Sequence, residues 1–294
     1  MTALSGENIA FIGLGLMGRP MALNLEKAGA VLTVNTRNPE TLNAFEDQGI
    51  ATAGTPADAA ADADIVIICV ADTDALENVL LGEDGIVDGI EEGTIVVDMG
   101  TTAIEATRRF AEAVEDAGGS WIDAPISGGT VGAENGTLSI MVGADEQDFA
   151  RVRRVFDVLG SRVTHVGDVG AGQIAKAANQ MIVGITIGAV SEAFSMADEA
   201  GVDMAKLRTA LTGGFADSTI LQKHGERMIE QNFEPGGKAV TQRKDLYQAL
   251  EFSEGELGLE LPFSRLALEL YDELIAMGDG NLDHSALIKV YEED

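Results

Sequence analysis

Apolar positions change their period along the chain, and the change divides it. Up to about residue 166, short apolar runs at 8–14, 31–34, 65–70 and 94–98 are bounded by turn residues, and helical spacing fills 19–28 and 107–117. Residues 138–142 and 163–166 read as closing strands on either side of a helix over 146–159. Strands that alternate with helices in this way build a doubly wound parallel sheet. From Met204 onward apolar residues recur at helical spacing and strand candidates almost vanish. Loops are expected at 213–215 and 234–237, with a helix opening at Arg243-Lys244-Asp245-Leu246 and running to about Ser253. The predicted fold is α/β, with a sheet domain over 1–166 and an all-helical domain over 167–294.

Between the two patterns lies 170–200, a stretch without proline or a turn cluster. Read as one helix, at roughly 1.5 Å per residue it spans about 45 Å, longer than a small domain is wide, so it should join the two domains. Its uncharged run, 177–191, falls short of the roughly 20 apolar residues of a bilayer span. Lys176 is the only strong base before the acidic end of this helix, and Asn179 and Gln180 follow three and four residues later on the same face. That face is the catalytic candidate. A core helix whose lysine reaches solvent would show the same spacing.

Candidate chemistry in the first half begins at the first strand. Gly13, Leu14, Gly15, Leu16, Met17 and Gly18 lie between that strand and a helix, the context that gives G-x-G-x-x-G its meaning. Glycines there allow a tight turn and close approach of a pyrophosphate, whose charge meets free N–H groups at the helix start. A Rossmann-type dinucleotide-binding domain is therefore expected. The second strand ends in Asn35-Thr36-Arg37, where a carboxylate would normally take both ribose hydroxyls. A neutral Asn35 followed by Thr36 and Arg37 would accept a 2′-phosphate, which predicts NADP in preference to NAD. Arg37 would equally serve as a surface arginine in the turn before Asn38-Pro39.

Val70-Ala71-Asp72 and the segment containing Thr101 end later strands, where ligands of such sheets bind. Ser127 with Gly128 and Gly129 suggests backbone amides bared for an anion such as a carboxylate, although a plain loop would look alike. His165, His224 and His284 lack ligand spacing, so no metal is expected.

Composition narrows the partners. With 49 acidic and 19 basic residues the net charge is −30, dispersed over the whole chain. Such a surface suits a salt-rich, halophilic cytoplasm and repels nucleic acid and anionic lipid. The first residues, MTALSGENIAFIGLG, have no basic region, so neither a signal peptide nor an anchor is expected. Cys69, inside the apolar run IVIICV, reads as a buried thiol.

Four separated motifs carry a resemblance to the β-hydroxyacid dehydrogenase family. They are Phe11 to Gly18 with Pro20-Met21-Ala22, Asp123-Ala124-Pro125-Ile126-Ser127-Gly128-Gly129, Gly170-Ala171-Gly172-Gln173 through Lys176 to Asn179, and Lys244-Asp245-Leu246. The resemblance covers nearly the whole chain. It implies hydride transfer between a nicotinamide and a short 3-hydroxy acid or semialdehyde, with Lys176 as general acid and base. It implies that Ser127, Gly128 and Gly129 hold the substrate carboxylate with Thr101 beside them, and that Asn179 or Gln180 contacts substrate. Lys244 matches a lysine near the nicotinamide and Asp245 a residue that supports its loop. A homo-oligomer, dimer or tetramer, is also implied.

Two departures bear on substrate: Asn179-Gln180 replaces the paired asparagines of many members, and Gly236-Gly237-Lys238 stands where an aromatic residue is common. Within this fold, 3-hydroxyisobutyrate dehydrogenase and 2-hydroxy-3-oxopropionate reductase are the leading types. Glyoxylate/succinic semialdehyde reductase and a 6-phosphogluconate dehydrogenase-like enzyme are alternatives, the last needing a basic cluster beyond Lys238 and Arg243. A catalytically silent nucleotide sensor would have the fold without the lysine.

Overall fold

The computed structural model describes residues 3–292. By contacts the chain divides into two compact units, one ending at Lys176 and the other beginning at Ala177. In the first, the strands are β1 (Asn8–Ile12), β2 (Val31–Asn35), β3 (Ala51–Thr52), β4 (Ile65–Ile68), β5 (Ile95–Asp98), β6 (Ser120–Asp123), β7 (Ile126–Ser127), β8 (Leu138–Gly143) and β9 (Gly160–Gly167). They form one sheet in the order β3-β2-β1-β4-β5-β6-β8-β7, with β9 also paired to β8. The run from β3 to β6 is wholly parallel.

Every residue of β4 and β5 is buried, because helices cover both faces of the sheet. The strand period of two sorts their side chains between two cores. Ile9, Phe11, Ile65, Ile67, Ile95 and Val97 enter one core, while Ala10, Ile12, Val66, Ile68 and Val96 enter the other. This is why these strands are continuous apolar runs in the sequence.

Past β6 the sheet changes direction. β6 and β7 are two parts of one line that pairs antiparallel with β8, Asp123 opposite Gly143 and Ile126 opposite Ile140. Pro125 interrupts the ladder because it has no N–H, yet its carbonyl accepts from the Met141 N–H at 3.1 Å. The β6–β7 line thereby projects Ser127 beyond the end of the parallel sheet.

The second unit is helical. Beyond Ala171–Glu199, which begins in the first unit, it holds Met204–Leu211, Thr219–Glu230, Ala239–Gly255, Pro262–Ala276 and a 3-10 turn, His284–Tyr291. Ile187 and Phe194 of the long helix pack with Leu246, Tyr271 and Leu287. By length and composition alone that helix is, among the described residues, the one able to cross a membrane, but these side chains form a protein core. One sequence expectation is corrected: the helix placed from Arg243 begins at Ala239, so Lys244 lies in its second turn, where helical spacing and not end effects sets its direction.

Candidate active site

The turn after β1 shows three different uses of glycine. Gly13 has φ 98°, and a Cβ there would lie 2.4 Å from the Cys69 carbonyl oxygen at the end of β4. At Gly18 a Cβ would lie 2.0 Å from the Gly13 carbonyl oxygen. These two are demanded by the fold. At Gly15 a Cβ would meet no atom within 4 Å and the backbone needs no positive φ, so the protein's own packing does not ask for glycine. A group approaching from outside would. The helix Gly18–Lys27 opens beside it with no side-chain cap at Met17, so no side chain of the cap takes up its leading N–H groups. A pyrophosphate fits this turn on both counts. Leu14 is buried under it and Leu16 is exposed.

At the end of β2 the three polar residues separate. Asn35 is 7% exposed and donates its amide to the Ala53 carbonyl at 3.0 Å, so it braces the β3 edge rather than reaching outward. Thr36 is half-buried and Arg37 exposed. Asn38 caps the helix Pro39–Glu46 through the Glu40 N–H. The outward group at this strand end is therefore Arg37, with Thr36 beside it. Val70 and Ala71 follow β4, and Asp72 caps the helix Thr73–Leu81 by accepting from the Ala75 N–H at 2.9 Å.

The carboxyl ends of β5 and β6 hold a buried network that sequence reasoning did not assign. Asp98 accepts from the Gly100 N–H at 2.8 Å, the Thr102 hydroxyl at 2.6 Å and the Gln173 amide at 3.2 Å. Gln173 also donates to the Gly100 carbonyl and accepts from the Thr102 N–H, so the segment carrying Thr101 is tied to the long helix. Asp123 accepts from the Gly170 N–H at 2.7 Å and the Gln173 N–H at 2.8 Å. Burial raises the Asp123 carboxyl to about 6, with those two N–H groups opposing the shift and Asp98 adding to it. The signal that could have found both acids is the ending of two apolar strands, IVVD and SWID, in a carboxylate.

One turn further along, Lys176 is 8% exposed and its Nζ donates to the Ile126 carbonyl at 2.9 Å. Ile126 immediately precedes Ser127, which is half-buried, and the exposed Gly128 and Gly129. Gly128 at φ 140° and Gly129 at φ 65° hold a backbone that other residues rarely adopt. The lysine and the serine–glycine turn, widely separated in sequence, are thus brought together within the first unit.

In the second unit, Gln180 donates to the buried Asp245 carboxylate at 2.6 Å and to the Gln242 side chain at 3.3 Å. Gln242 returns a bond to the Gln180 carbonyl at 2.9 Å. Asn179 donates to the Gln180 side chain at 2.8 Å. Lys244 lies 3.4 Å from Asp245, which is 3% exposed. Gln180 thus joins Ala239–Gly255 to the long helix. Asn179 keeps the Lys176 side of that helix.

The expectation that the histidines are scattered is also corrected. His224 and His284 meet with ring centroids 4.6 Å apart, and their ligand atoms and those of Asp283 lie within 4.8 Å of one another. Such a trio has donor atoms suited to a metal ion. Asp283, however, already accepts from the N–H groups of Gly236, Gly237 and Ser285 and from the Ser285 hydroxyl, and lies 3.5 Å from Arg227. Its lone pairs are occupied and a cation is already beside it, which makes the cluster an internal anchor of the helical unit.

An uncapped helix behind a glycine turn at the head of a parallel sheet defines a dinucleotide-binding domain of the Rossmann type, here followed in the chain by a helical unit. Known proteins place it more narrowly. Residues 8–167 match the model of the NAD-binding domain of 6-phosphogluconate dehydrogenase, and 170–291 match that of the NAD-binding region of NADP-dependent 3-hydroxyisobutyrate dehydrogenase. The 2-hydroxy-3-oxopropionate reductase of Escherichia coli (strain K12) is 45% identical over 284 residues, covering 97% of both chains. The Mycobacterium tuberculosis 3-hydroxyisobutyrate dehydrogenase solved with L-serine superposes with a TM-score of 0.89 at 28% identity, covering 98% of this chain and 99% of that one. A further structure, solved in complex with NADP+ and 2-OPP, gives 0.87 at 25% identity over 97% of this chain and 100% of that one. The chain belongs to the β-hydroxyacid dehydrogenase family, and it is an NAD(P)-dependent enzyme.

Proposed function

We propose that the enzyme interconverts a short 3-hydroxy acid and its semialdehyde, of the 2-hydroxy-3-oxopropionate or 3-hydroxyisobutyrate type, with Lys176 as the proton-transfer group. The observation that carries this reading is the Lys176 Nζ held on the Ile126 carbonyl beside the Ser127-Gly128-Gly129 turn. The nicotinamide cofactor supplies or accepts the hydride. In reduction Lys176 gives its proton to the carbonyl oxygen as the carbonyl carbon takes up the hydride, and in oxidation it takes the hydroxyl proton back. The Ser127 hydroxyl and the Gly128 and Gly129 amides hold the substrate carboxylate, with Thr101 beside them. The similarity to the Escherichia coli reductase favours the 2-hydroxy-3-oxopropionate type. A panel of 3-hydroxy acids and semialdehydes assayed with both cofactors tests this, and equal inactivity on all of them refutes it.

Ser127→Ala should raise KM for the acid about tenfold or more, as expected for one hydrogen bond to a charged group, and change kcat little. An unchanged KM would move the carboxylate elsewhere.

Cofactor choice is read from the end of β2. Arg37 supplies a cation for a 2′-phosphate and no carboxylate opposes it, so NADP(H) is favoured over NAD(H) about tenfold. The buried Asn35 now contributes by lacking charge, not by donating. Arg37→Ala should bring kcat/KM for the two cofactors to within about threefold, and molar KCl should weaken the wild-type preference as the Debye length falls to about 3 Å. A wild-type preference for NAD(H) refutes it.

The charge of −30 supports a salt-rich cytoplasm and disfavours nucleic acid and membrane as partners. A homo-oligomer, dimer or tetramer, accords with exposed apolar residues such as Ile182, Met196 and Phe215 in the helical unit.

A further inference from the structure

Asp123 is a buried carboxylate against the start of the long helix, and the proposed chemistry assigns it no role. It is 0% exposed, and it stands near Asp98, the charged group that faces it; the long helix presents backbone N–H groups and β8 presents Gly143. Two glycines make the space. A Cβ at Gly143 would lie 2.6 Å from Asp123 Oδ1, and one at Gly172 would lie 2.7 Å from Oδ2.

The geometry repeats itself along two elements. On the β6–β7 line, Asp123 and Ile126 are three residues apart; on the long helix, Gln173 and Lys176 are three apart. The Asp123 carboxylate accepts from the Gln173 N–H at 2.8 Å, and the Ile126 carbonyl accepts from the Lys176 Nζ at 2.9 Å. These are two rungs between the same two elements, so moving one displaces the other.

We propose that Asp123 is a positioning residue for Lys176: its carboxylate clamps the opening turn of the long helix to the end of β6 and so sets where the Nζ stands beside the Ser127 turn. The inference rests on Lys176 being the proton-transfer group. Two backbone donors need two acceptors. An ionised carboxylate provides them, whereas a protonated one or an asparagine presents one acceptor and one donor. Because burial raises Asp123 to about 6, the clamp weakens as pH falls through that value while the ordinary carboxylates remain charged.

The test uses the full-length enzyme at saturating substrate and cofactor. Asp123→Asn, nearly isosteric, should lower kcat about 10²-fold, the scale of a misplacement near 1 Å, with cofactor Kd within about threefold. The acid limb of the wild-type kcat profile near pH 6 should vanish in the variant. A kcat within about threefold of wild type, or an unmoved acid limb, would overturn the proposal. Should the variant fold poorly, wild type decides: exchange of the Gly170 and Gln173 amides, corrected for intrinsic rate, should accelerate between pH 7 and 5 while amides of β1 do not. Constant protection there would overturn the clamp. A wild type inactive on every 3-hydroxy acid and semialdehyde would instead sink the functional reading, and the exchange result would still judge the clamp.

Discussion

Replacing Lys176 by alanine should cost about 10²–10⁴ in kcat and leave cofactor affinity within about threefold, because the proposed role is on the reacting oxygen and not on the dinucleotide. The proposed dinucleotide-binding features lie at the glycine turn after β1 and at the end of β2, on other elements. Lys176→Arg separates proton transfer from charge. The guanidinium keeps the positive charge but does not release a proton at working pH, so it should be nearly as inactive as alanine. Steady-state kcat, with Kd from quenching of protein fluorescence by the reduced cofactor, distinguishes the outcomes. A Lys176→Ala enzyme with more than half of wild-type kcat would refute the role. A tenfold loss of cofactor affinity would show that the lysine serves the dinucleotide instead.

What was legible in the sequence follows the physics of each element. β1, β4 and β5 announce themselves because both of their faces are buried, so every position but one end residue, Asn8 of β1 and Asp98 of β5, is apolar. The long helix is equally plain, since 29 residues without a breaker allow little else. β3 and β7 have two residues each, too few to show a period, and Pro125 hides the continuity of β6 into β7.

The site divides similarly. Helical spacing singles out Lys176, and glycine density singles out the Ser127 turn, yet only the folded β6–β7 line shows that Ile126 joins them. Asp123 and Gln173 lie within the family motifs but show no role in the sequence, because their partners are backbone donors and a buried acid far along the chain. Gln180 looks like a second substrate contact by spacing alone. In the folded chain it donates to Asp245, 65 residues away, a contact that no local pattern encodes. The same distance blindness separated His224 from His284.

Asp123 and Asp283 are both 0% exposed, and their carboxyls shift in opposite directions, which predicts opposite contributions to stability. Asp123 is raised from 3.8 to about 6, so its contribution to stability is full below the unfolded value and is lost as pH rises through 6. Keeping it ionised at neutral pH therefore costs about 3 kcal/mol, a cost consistent with a functional role. Asp283 is buried too, and burial alone would raise it, but His224, His284 and Ser285 overcome that and hold it well below the usual carboxylate range. Its stabilisation is present above the unfolded value near 4 and is lost progressively as pH falls below it.

Asp283 also joins the Gly236–Gly237 loop, the helix Thr219–Glu230 through His224 and Arg227, and the 3-10 turn His284–Tyr291 that it caps. Asp283→Ala removes every one of these acceptors and leaves the Arg227 charge and the loop N–H groups without them. The expected loss is about 3–5 kcal/mol, among the largest that a single substitution in the helical unit can cause. Urea unfolding at fixed, high KCl should show it as a lower midpoint at pH 7, and the difference from wild type should shrink as pH falls below about 4. A midpoint shift worth less than about 1 kcal/mol, or a difference independent of pH down to 3, would show that the anchor is not electrostatic.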